Sequence, residues 1–381
     1  MKKVLYSSLF IFTILSSALF GQWQNKSFTF QGNLRQYRIY VPAIYNASNP
    51  VPLVLTLHGL GDNMTNFSGI GMNFIADTAN FIVICPQALT DAVVGSTAWH
   101  SGAGQFGYYP NAAINDVAFM NALIDSTSAQ YSINQNRIYS MGFSMGGFMT
   151  QRLACELSSR IAAIASMAGT IGTEISSTCN PTRPIPVAHF HGTADQTISY
   201  TANTYGMSVG PLINFWTNHN NTDATPIHTM LPDLVADGYT VEHDLYENGD
   251  QNSVVELFKV NNAGHSWLYP PANDISYSIE AWKFFSRFEL NSSVGIKEIK
   301  NETMLIYPNP AQNSITIKVP NSNSKNNVKL FTFTGQEVLN LQLNEVEKTI
   351  SLEGMQLSNG IYLLQVDTDG KRYTEKIILE N

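Results

Sequence analysis

The hydrophobic residues in the first three quarters of the chain fall into short, almost uninterrupted apolar runs. These runs lack the apolar–polar alternation of a half-exposed strand, so each one predicts a strand covered on both faces. The runs lie at 50–57, 81–85, 137–141, 161–167, 185–191 and 254–260. Segments with helical spacing lie between them, at 66–79, 115–131 and 148–157. This alternation predicts an α/β protein with a mostly parallel, doubly wound sheet.

The pattern changes after Phe288. Residues 291–303 are polar and rich in turn-forming residues, and we interpret them as a linker. From 304 to 381 apolar and polar residues alternate in short runs, which predicts strands separated by turns and a small all-β sandwich. We therefore expect an α/β domain over 22–290 and a β-sandwich domain over 304–381.

The first 21 residues have the features of an export signal. Lys2 and Lys3 precede an apolar stretch from Val4 to Phe20, and small residues near its end offer cleavage sites. We expect Gln22 to be the first residue of the mature protein. The alternative is an uncleaved membrane anchor, but the run is short and interrupted by Ser and Thr. We expect a protein that leaves the cytoplasm and has no stable membrane span.

Composition narrows the function classes. Charged residues make up only 13% of the 381 residues, and the net charge is −8. With no basic cluster beyond the amino terminus, this balance argues against nucleic-acid binding. No spacing of His, Cys and carboxylate residues resembles a metal site, so neither a metal nor another cofactor is expected.

Export permits disulfides, and the chain has three cysteines. Cys155 falls on the predicted helix 148–157, and Cys179 falls in a loop before the next predicted strand. We hypothesise that these two form a bridge and that Cys85 is a buried strand thiol. Three free, buried cysteines are the alternative.

A candidate nucleophile lies where the strand at 137–141 gives way to the helix at 148–157. The motif there is Gly142-x-Ser144-x-Gly146. A strand, this motif and a helix in that order are typical of the nucleophile elbow of α/β hydrolases. Side chains two residues before and after the serine would collide with the backbone of the sharp turn, which is why both positions are glycine.

Two further residues complete a predicted catalytic triad in the order Ser, Asp, His. Asp195 follows the strand at 185–191 in a turn led by Gly192, and His265 follows the strand at 254–260. Ser144 would attack an acyl carbon, His265 would accept and return the proton, and Asp195 would orient the imidazole. The competing acids and histidines lack this strand-then-glycine context or fall in polar loops, and His191 is expected to hold the acid loop.

An oxyanion hole needs two backbone amides. We assign one to Met145, which follows the nucleophile, and the other to Leu60 in the glycine-rich loop after the strand at 50–57. Aromatic residues near the cleft could contact an acyl or alcohol group, and Trp99 and Trp267 are the substrate-binding candidates. The alternative for both tryptophans is packing within long loops.

Four motifs carry a family resemblance: Leu57–Asp62, Gly142–Gly147, His191–Asp195 and Gly264–Trp267. Together they resemble the polyhydroxybutyrate depolymerase and feruloyl esterase family of secreted α/β hydrolases, over roughly 27 to 289. The resemblance implies an α/β-hydrolase fold, the Ser-Asp-His triad and an ester substrate, which is expected to derive from a polymer.

The tail carries a second resemblance. Tyr307–Ala311, Phe331–Val338, Leu357–Leu363 and the closing Lys-Ile-Ile-Leu are similar to type A sorting domains of the type IX secretion system. This implies the type IX secretion machinery as a partner, passage across an outer membrane, and removal of the tail.

These observations predict a secreted serine carboxylesterase acting on feruloyl- or acetyl-type esters of plant polysaccharides. An extracellular polyester depolymerase is the alternative enzyme. A catalytically silent carbohydrate- or polymer-binding protein is the alternative of another class.

Overall fold

The computed structural model describes residues 21–290, and 305–380 with gaps at 319–325, 333–335, 344, 346, 356 and 369–370. The described residues form two compact units, the first ending at residue 290 and the second beginning at 305. The expected linker and, apart from Gly21, the expected export signal lie outside the described residues. No helix in the described ranges is long and apolar enough to span a membrane.

Ten described strands of the first unit form one sheet, in the order β1-β2-β4-β3-β5-β6-β7-β10-β9-β8. The strands are β1 (Gln22–Phe30), β2 (Asn33–Val41), β3 (Val51–Leu57), β4 (Ile82–Pro86), β5 (Ile133–Phe143), β6 (Ala163–Met167), β7 (Val187–Gly192), β8 (Ile227–Met230), β9 (Thr240–Tyr246) and β10 (Val255–Asn261). The six strands from β4 to β10 in that order run parallel, and the flanking strands are antiparallel. The predicted mostly parallel sheet is confirmed.

Helices cover both faces of this sheet. They are α1 (Met64–Phe67), α2 (Met72–Ala79), α3 (Asp116–Gln130), α4 (Met145–Glu156), α5 (Val209–Asn220) and α6 (Tyr277–Phe285). Strand β3 is buried along its whole length. Its Leu53 and Leu55 pack in the core with α3, α4 and α5, whereas Val54 packs in the core with α2 and α6. Because successive side chains of a strand point to opposite faces, a doubly covered strand has to be apolar throughout.

The structure corrects the prediction in two places. The segment 66–79, predicted as one helix, is two helices separated at Gly71, whose φ of 89° is incompatible with a continuous right-handed helix. In addition, α5, β8 and β9 lie between β7 and β10, where the hydrophobic pattern predicted no helix or strand. Strand β8 is exposed along its length, so it lacks the apolar pattern that would have predicted it.

The second unit contains two antiparallel sheets, as predicted. One is ordered β11-β12-β15 and the other β14-β13-β16-β17. The strands are β11 (Leu305–Tyr307), β12 (Ser314–Lys318), β13 (Asn326–Thr332), β14 (Glu337–Leu343), β15 (Glu347–Ser351), β16 (Gly360–Thr368) and β17 (Lys371–Leu379). Alternate residues such as Ile315, Ile317, Val328 and Leu330 are fully buried and form its core.

Cys155 and Cys179 are joined by a disulfide, with their Cα atoms 5.0 Å apart. The bridge links the last turn of α4 to the loop that precedes β7. Cys85 is free and buried in β4, where burial raises the pKa of its thiol to about 12. Cys85 is therefore protonated and unreactive at neutral pH.

Removing the bridge should destabilise the protein. The bridge spans 24 residues, and restricting an unfolded loop of this length contributes about 3 kcal/mol to the free energy of unfolding. We expect the double variant Cys155→Ser/Cys179→Ser to lose about this amount in urea denaturation followed by tryptophan fluorescence. A thiol reductant should lower the stability of the wild type similarly and leave the double variant unchanged. Three titratable thiols in denatured, unreduced wild type would contradict the bridge.

Candidate active site

Ser144 lies on the turn between β5 and α4, where its backbone has φ 55° and ψ −121°. A positive φ is unfavourable for a residue with a Cβ, so the surroundings must hold this turn. A Cβ on Gly142 would lie 2.2 Å from the carbonyl oxygen of Gly146, and a Cβ on Gly146 would lie 1.9 Å from that of Leu57. The two glycines therefore allow the backbones of the turn and of β3 to meet, and the turn places Ser144 at the carboxyl end of β5.

Asp195 and His265 lie on the loops that follow the neighbouring parallel strands β7 and β10. The Nδ1 of His265 donates to Oδ2 of Asp195 at 2.7 Å. The other carboxylate oxygen accepts from the backbone amides of Thr197 at 2.8 Å and Ile198 at 2.9 Å. Because a carboxylate only accepts, Nδ1 of His265 carries its proton and Nε2 is free to accept one.

The environment of Asp195 favours its ionised form. Burial alone would raise the pKa of this carboxyl, but hydrogen bonds from His191, His265 and the Ile198 amide together hold the pKa well below its ordinary value. The carboxylate is therefore charged throughout the neutral and mildly acidic range, so it stabilises an imidazolium at His265 rather than exchanging a proton with it.

His191 is fully buried beneath the acid loop. Its Nε2 donates to the carbonyl oxygen of Ile198 at 2.8 Å and lies 3.5 Å from Oδ2 of Asp195. Its Nδ1 accepts from Nε2 of the buried His189 at 3.1 Å. Burial lowers the pKa of His189 well below its usual value, so that imidazole is neutral. These contacts hold the loop that carries Asp195, which is the role expected for His191.

Hydrogen bonds of the His58 ring fix the loop after β3. The ring of His58 accepts from the Ala88 amide at Nε2, at 3.1 Å, and burial lowers the pKa of His58 so that it is neutral. Its Nδ1 therefore carries the proton and donates to the Gly59 carbonyl at 2.8 Å. In a trans peptide the C=O and the following N–H point in opposite directions. Fixing the Gly59 carbonyl thus fixes the direction of the Leu60 amide.

Trp99 is not a substrate contact, which corrects the prediction from the sequence. Its side chain has no exposed surface. The indole Nε1 donates to the carbonyl oxygen of His58 at 2.9 Å, and its own amide lies 3.3 Å from the Sδ of Met145. Trp99 therefore ties the loop after β3 to the segment after the nucleophile, and it acts on the site only through the backbone.

Trp267 is half-buried in an aromatic cluster. Its ring meets those of Phe67, Phe143 and Tyr277 edge-on, at centroid distances of 5.5, 6.1 and 5.6 Å. The Phe143 ring also packs against His265 at 4.8 Å. The cluster supports the loop that carries His265, and a direct contact of Trp267 with substrate stays a prediction.

Ser144, Leu60 and Met145 line one cavity of about 430 Å³. His265 and both tryptophan candidates lie outside that lining. The rest of the wall is largely apolar and aromatic. It includes Val94, Ala103, Phe106, Tyr108, Pro110, Phe148, Ile198 and Tyr205. The structure thus brings the predicted nucleophile together with both residues assigned to the oxyanion hole. The assignment of their amides to that hole remains a prediction.

A short hairpin forms one side of the cavity mouth. Gln105 and Tyr108 pair across a turn in which Phe106 and Gly107 have φ values of 53° and 77°. The hydroxyl of Tyr108 donates to Asp91 at 2.5 Å. Phe106 is fully exposed at the tip. A positive φ is unfavourable for an aromatic residue, so the pairing of Gln105 with Tyr108 has to hold Phe106 at the cavity mouth.

The sequence indicated this hairpin only as a glycine-rich aromatic loop. It gave no sign of Tyr205 and Ile198. Both follow the acid loop, so their closeness in sequence to Asp195 is the signal that could have identified them.

Residues 41–237 match the phospholipase/carboxylesterase family, and residues 305–380 match the secretion system C-terminal sorting domain. The chain is 27% identical over 268 residues to a bifunctional acetylxylan esterase/xylanase from Neocallimastix patriciarum, covering 69% of this chain and 35% of that protein. It is 32% identical over 157 residues to feruloyl esterase B from Piromyces equi, covering 40% of this chain and 29% of that protein. It is 24% identical over 303 residues to poly(3-hydroxyalkanoate) depolymerase C from Paucimonas lemoignei, covering 71% and 67%.

The chain spans about a third of the length of the first two of these relatives. The family match, by contrast, extends over more than half of the chain and includes Leu60, Ser144 and Asp195, whereas His265 lies beyond it. With the parallel sheet and the strained serine turn, this match identifies the chain as a member of the phospholipase/carboxylesterase family that carries a secretion sorting domain at its carboxyl end.

Proposed function

We propose that this protein is a secreted serine carboxylesterase that cleaves feruloyl- or acetyl-type esters of plant polysaccharides. The observation that carries the proposal is the position of Ser144 on the wall of a largely apolar cavity that Leu60 and Met145 also line. The hydrogen-bonded pair Asp195–His265 supplies the acid and base chemistry that a serine nucleophile requires.

The reaction has two halves. His265 takes the Ser144 proton at Nε2 as the hydroxyl attacks the ester carbonyl, and the resulting imidazolium is stabilised by Asp195. The amides of Leu60 and Met145 stabilise the oxyanion, and His265 then returns the proton to the departing alcohol. In the second half, His265 takes a proton from water as the water attacks the acyl-enzyme. It then returns the proton to Ser144 as the acid product leaves.

The cavity wall supports an aromatic acyl group. Phe148, Tyr108 and Tyr205 present ring surfaces to a space of about 430 Å³, within the range of small-molecule sites. The names of the esterase relatives agree with such a substrate, and a sugar portion would remain outside the cavity.

A polyester is the second candidate substrate. Phe106 is fully exposed, and Leu60 and Val94, which also line the cavity, are 48% and 39% exposed. An exposed apolar rim of this kind favours contact with an apolar polymer surface.

Initial rates on methyl ferulate, acetylated xylan and amorphous polyhydroxybutyrate, measured in parallel, test the proposal. We expect the wild type to hydrolyse at least one of the first two, and Ser144→Ala to lose activity by a factor of about 10⁴ or more because no nucleophile remains. Ser177→Ala, which changes an exposed serine away from the cavity, should match the wild type. Activity on the polyester alone would favour the second candidate. Silence of the folded protein on all three substrates would favour the binding-protein alternative.

The oxyanion assignment can be tested through Trp99. We expect Trp99→Phe to lower kcat roughly tenfold with little change in KM, because releasing the His58 carbonyl loosens the peptide that aims the Leu60 amide. Trp216→Phe is the matched control. Trp216 is also fully buried, and its indole also donates one hydrogen bond, to Gln151 at 2.8 Å. Equal losses of kcat in the two variants would show that Trp99 acts only through stability.

The sorting domain directs the chain across the outer membrane by the type IX pathway. In a bacterium that has this secretion system, we expect deletion of residues 304–381 to leave active esterase in the periplasm, whereas the full chain reaches the medium or cell surface. Cell fractionation with the esterase assay measures both. Normal secretion of the truncated chain would contradict this role.

A further inference from the structure

A second cavity, of about 410 Å³, lies at the other end of the parallel strands. Three of its lining residues are arginines: Arg137, Arg183 and Arg287. Arg137 lies in β5, seven residues before Ser144, and a strand rises about 3.3 Å per residue. The cavity is therefore about 20 Å from the nucleophile and belongs to a different site.

Two of these arginines, Arg137 and Arg183, bond to uncharged oxygen atoms. Arg183 is half-buried, and its guanidinium donates to four backbone carbonyls, those of Ser158, Pro184, Ile161 and Ala162. Most of its N–H groups are therefore occupied, and it acts on the cavity through its positive charge. Arg137 donates from Nε to the hydroxyl of Tyr139 at 3.2 Å. Within the described ranges, neither arginine takes part in an ion pair. Burial lowers the pKa of Arg183 to about 10, which agrees with an uncompensated cation.

The other charged residues of the lining reduce the positive charge of the cavity but do not cancel it. Arg287 is paired with the buried Glu256. Glu289 is the acidic residue on the cavity wall, and its side chain is exposed to solvent. On a chain whose net charge is −8, this cavity is a local concentration of positive charge that attracts an anion.

The size of the cavity and its other lining residues indicate what kind of anion it could bind. The cavity falls within the usual range of small-molecule pockets, about 300–1,000 Å³, and is larger than an inorganic oxyanion requires. Phe288 and Pro186 provide apolar surface, while the amides of Gln251 and Asn252 and the hydroxyl of Ser286 provide hydrogen-bonding groups. One carboxylate with several hydroxyls on a compact ring matches this combination, since the planar fork of arginine suits a carboxylate.

We propose that this cavity binds a uronate unit of an acidic polysaccharide. The carboxylate lies between Arg137 and Arg183, and the ring lies against Phe288. Such a site would hold the enzyme on a polymer while the serine site works on another part of it. The binding step does not involve Ser144, so it can be tested separately from hydrolysis.

The test is calorimetric titration of the Ser144→Ala protein with a xylo-oligosaccharide that carries one glucuronate, compared with the same oligosaccharide after reduction of its carboxyl to an alcohol. We expect binding of the acid and at least tenfold weaker binding of the reduced sugar. Arg137→Gln should weaken binding of the acid about tenfold, because one charge-assisted hydrogen-bonding partner is lost. Glu289→Gln should strengthen it severalfold by removing a like charge.

Arg160→Gln is the matched control. It makes the same change of charge at an arginine that is paired with Asp125 and does not line this cavity, and it should leave the affinity unchanged. Thermal melting of each variant shows whether it is folded, and Glu289→Gln provides an independent arm if Arg137→Gln is not. Equal binding of the acid and the reduced sugar, or equal affinity in all three variants, would overturn the proposal. Sulfate binding as tight as that of the acid would overturn its sugar portion and leave only an anion site.

Discussion

The contact between the backbone of the serine turn and the end of β3 is the constraint on which the site depends. It brings Gly146 so close to the Leu57 carbonyl that no side chain fits between them. Because β3 and β5 are parallel neighbours, both loops leave the sheet at the same edge. The same approach that strains Ser144 therefore sets it beside Leu60, so the position of Ser144 and that of the loop after β3 are fixed together rather than separately.

The ionisable groups around this contact are each held in one charge state. Burial lowers the pKa of both His58 and His189, so neither ring adds a positive charge beside the site. Neutral His58 accepts from the Ala88 amide and donates to the Gly59 carbonyl, and neutral His189 donates to His191. Asp195 keeps its negative charge through hydrogen bonds that outweigh its burial. His265 thus bonds to one fixed negative charge, and the two buried histidines nearby are neutral.

Some parts of this architecture can be predicted from the sequence and others cannot. Buried parallel strands have continuous apolar sequences, so the sheet could be predicted. The serine turn requires two glycines at fixed positions, so the position of Ser144 on that turn could be predicted as well. Strand β8 could not, because its pairing depends on β9 rather than on an apolar face of its own. The prediction that Trp99 contacts substrate was wrong for a related reason. Its sequence neighbours indicate an aromatic loop, whereas its burial depends on a carbonyl 41 residues earlier in the chain.

The hairpin that carries Phe106 is anchored independently of the elbow. Tyr108 bonds to Asp91 and Gln105 bonds to Thr204, whereas Phe106 at the tip is fully exposed. Exchange of the tip residue therefore alters the wall of the cavity without altering the backbone contact that positions Ser144. In evolutionary terms, we expect the glycines of the serine turn to be constrained and position 106 to be free to vary.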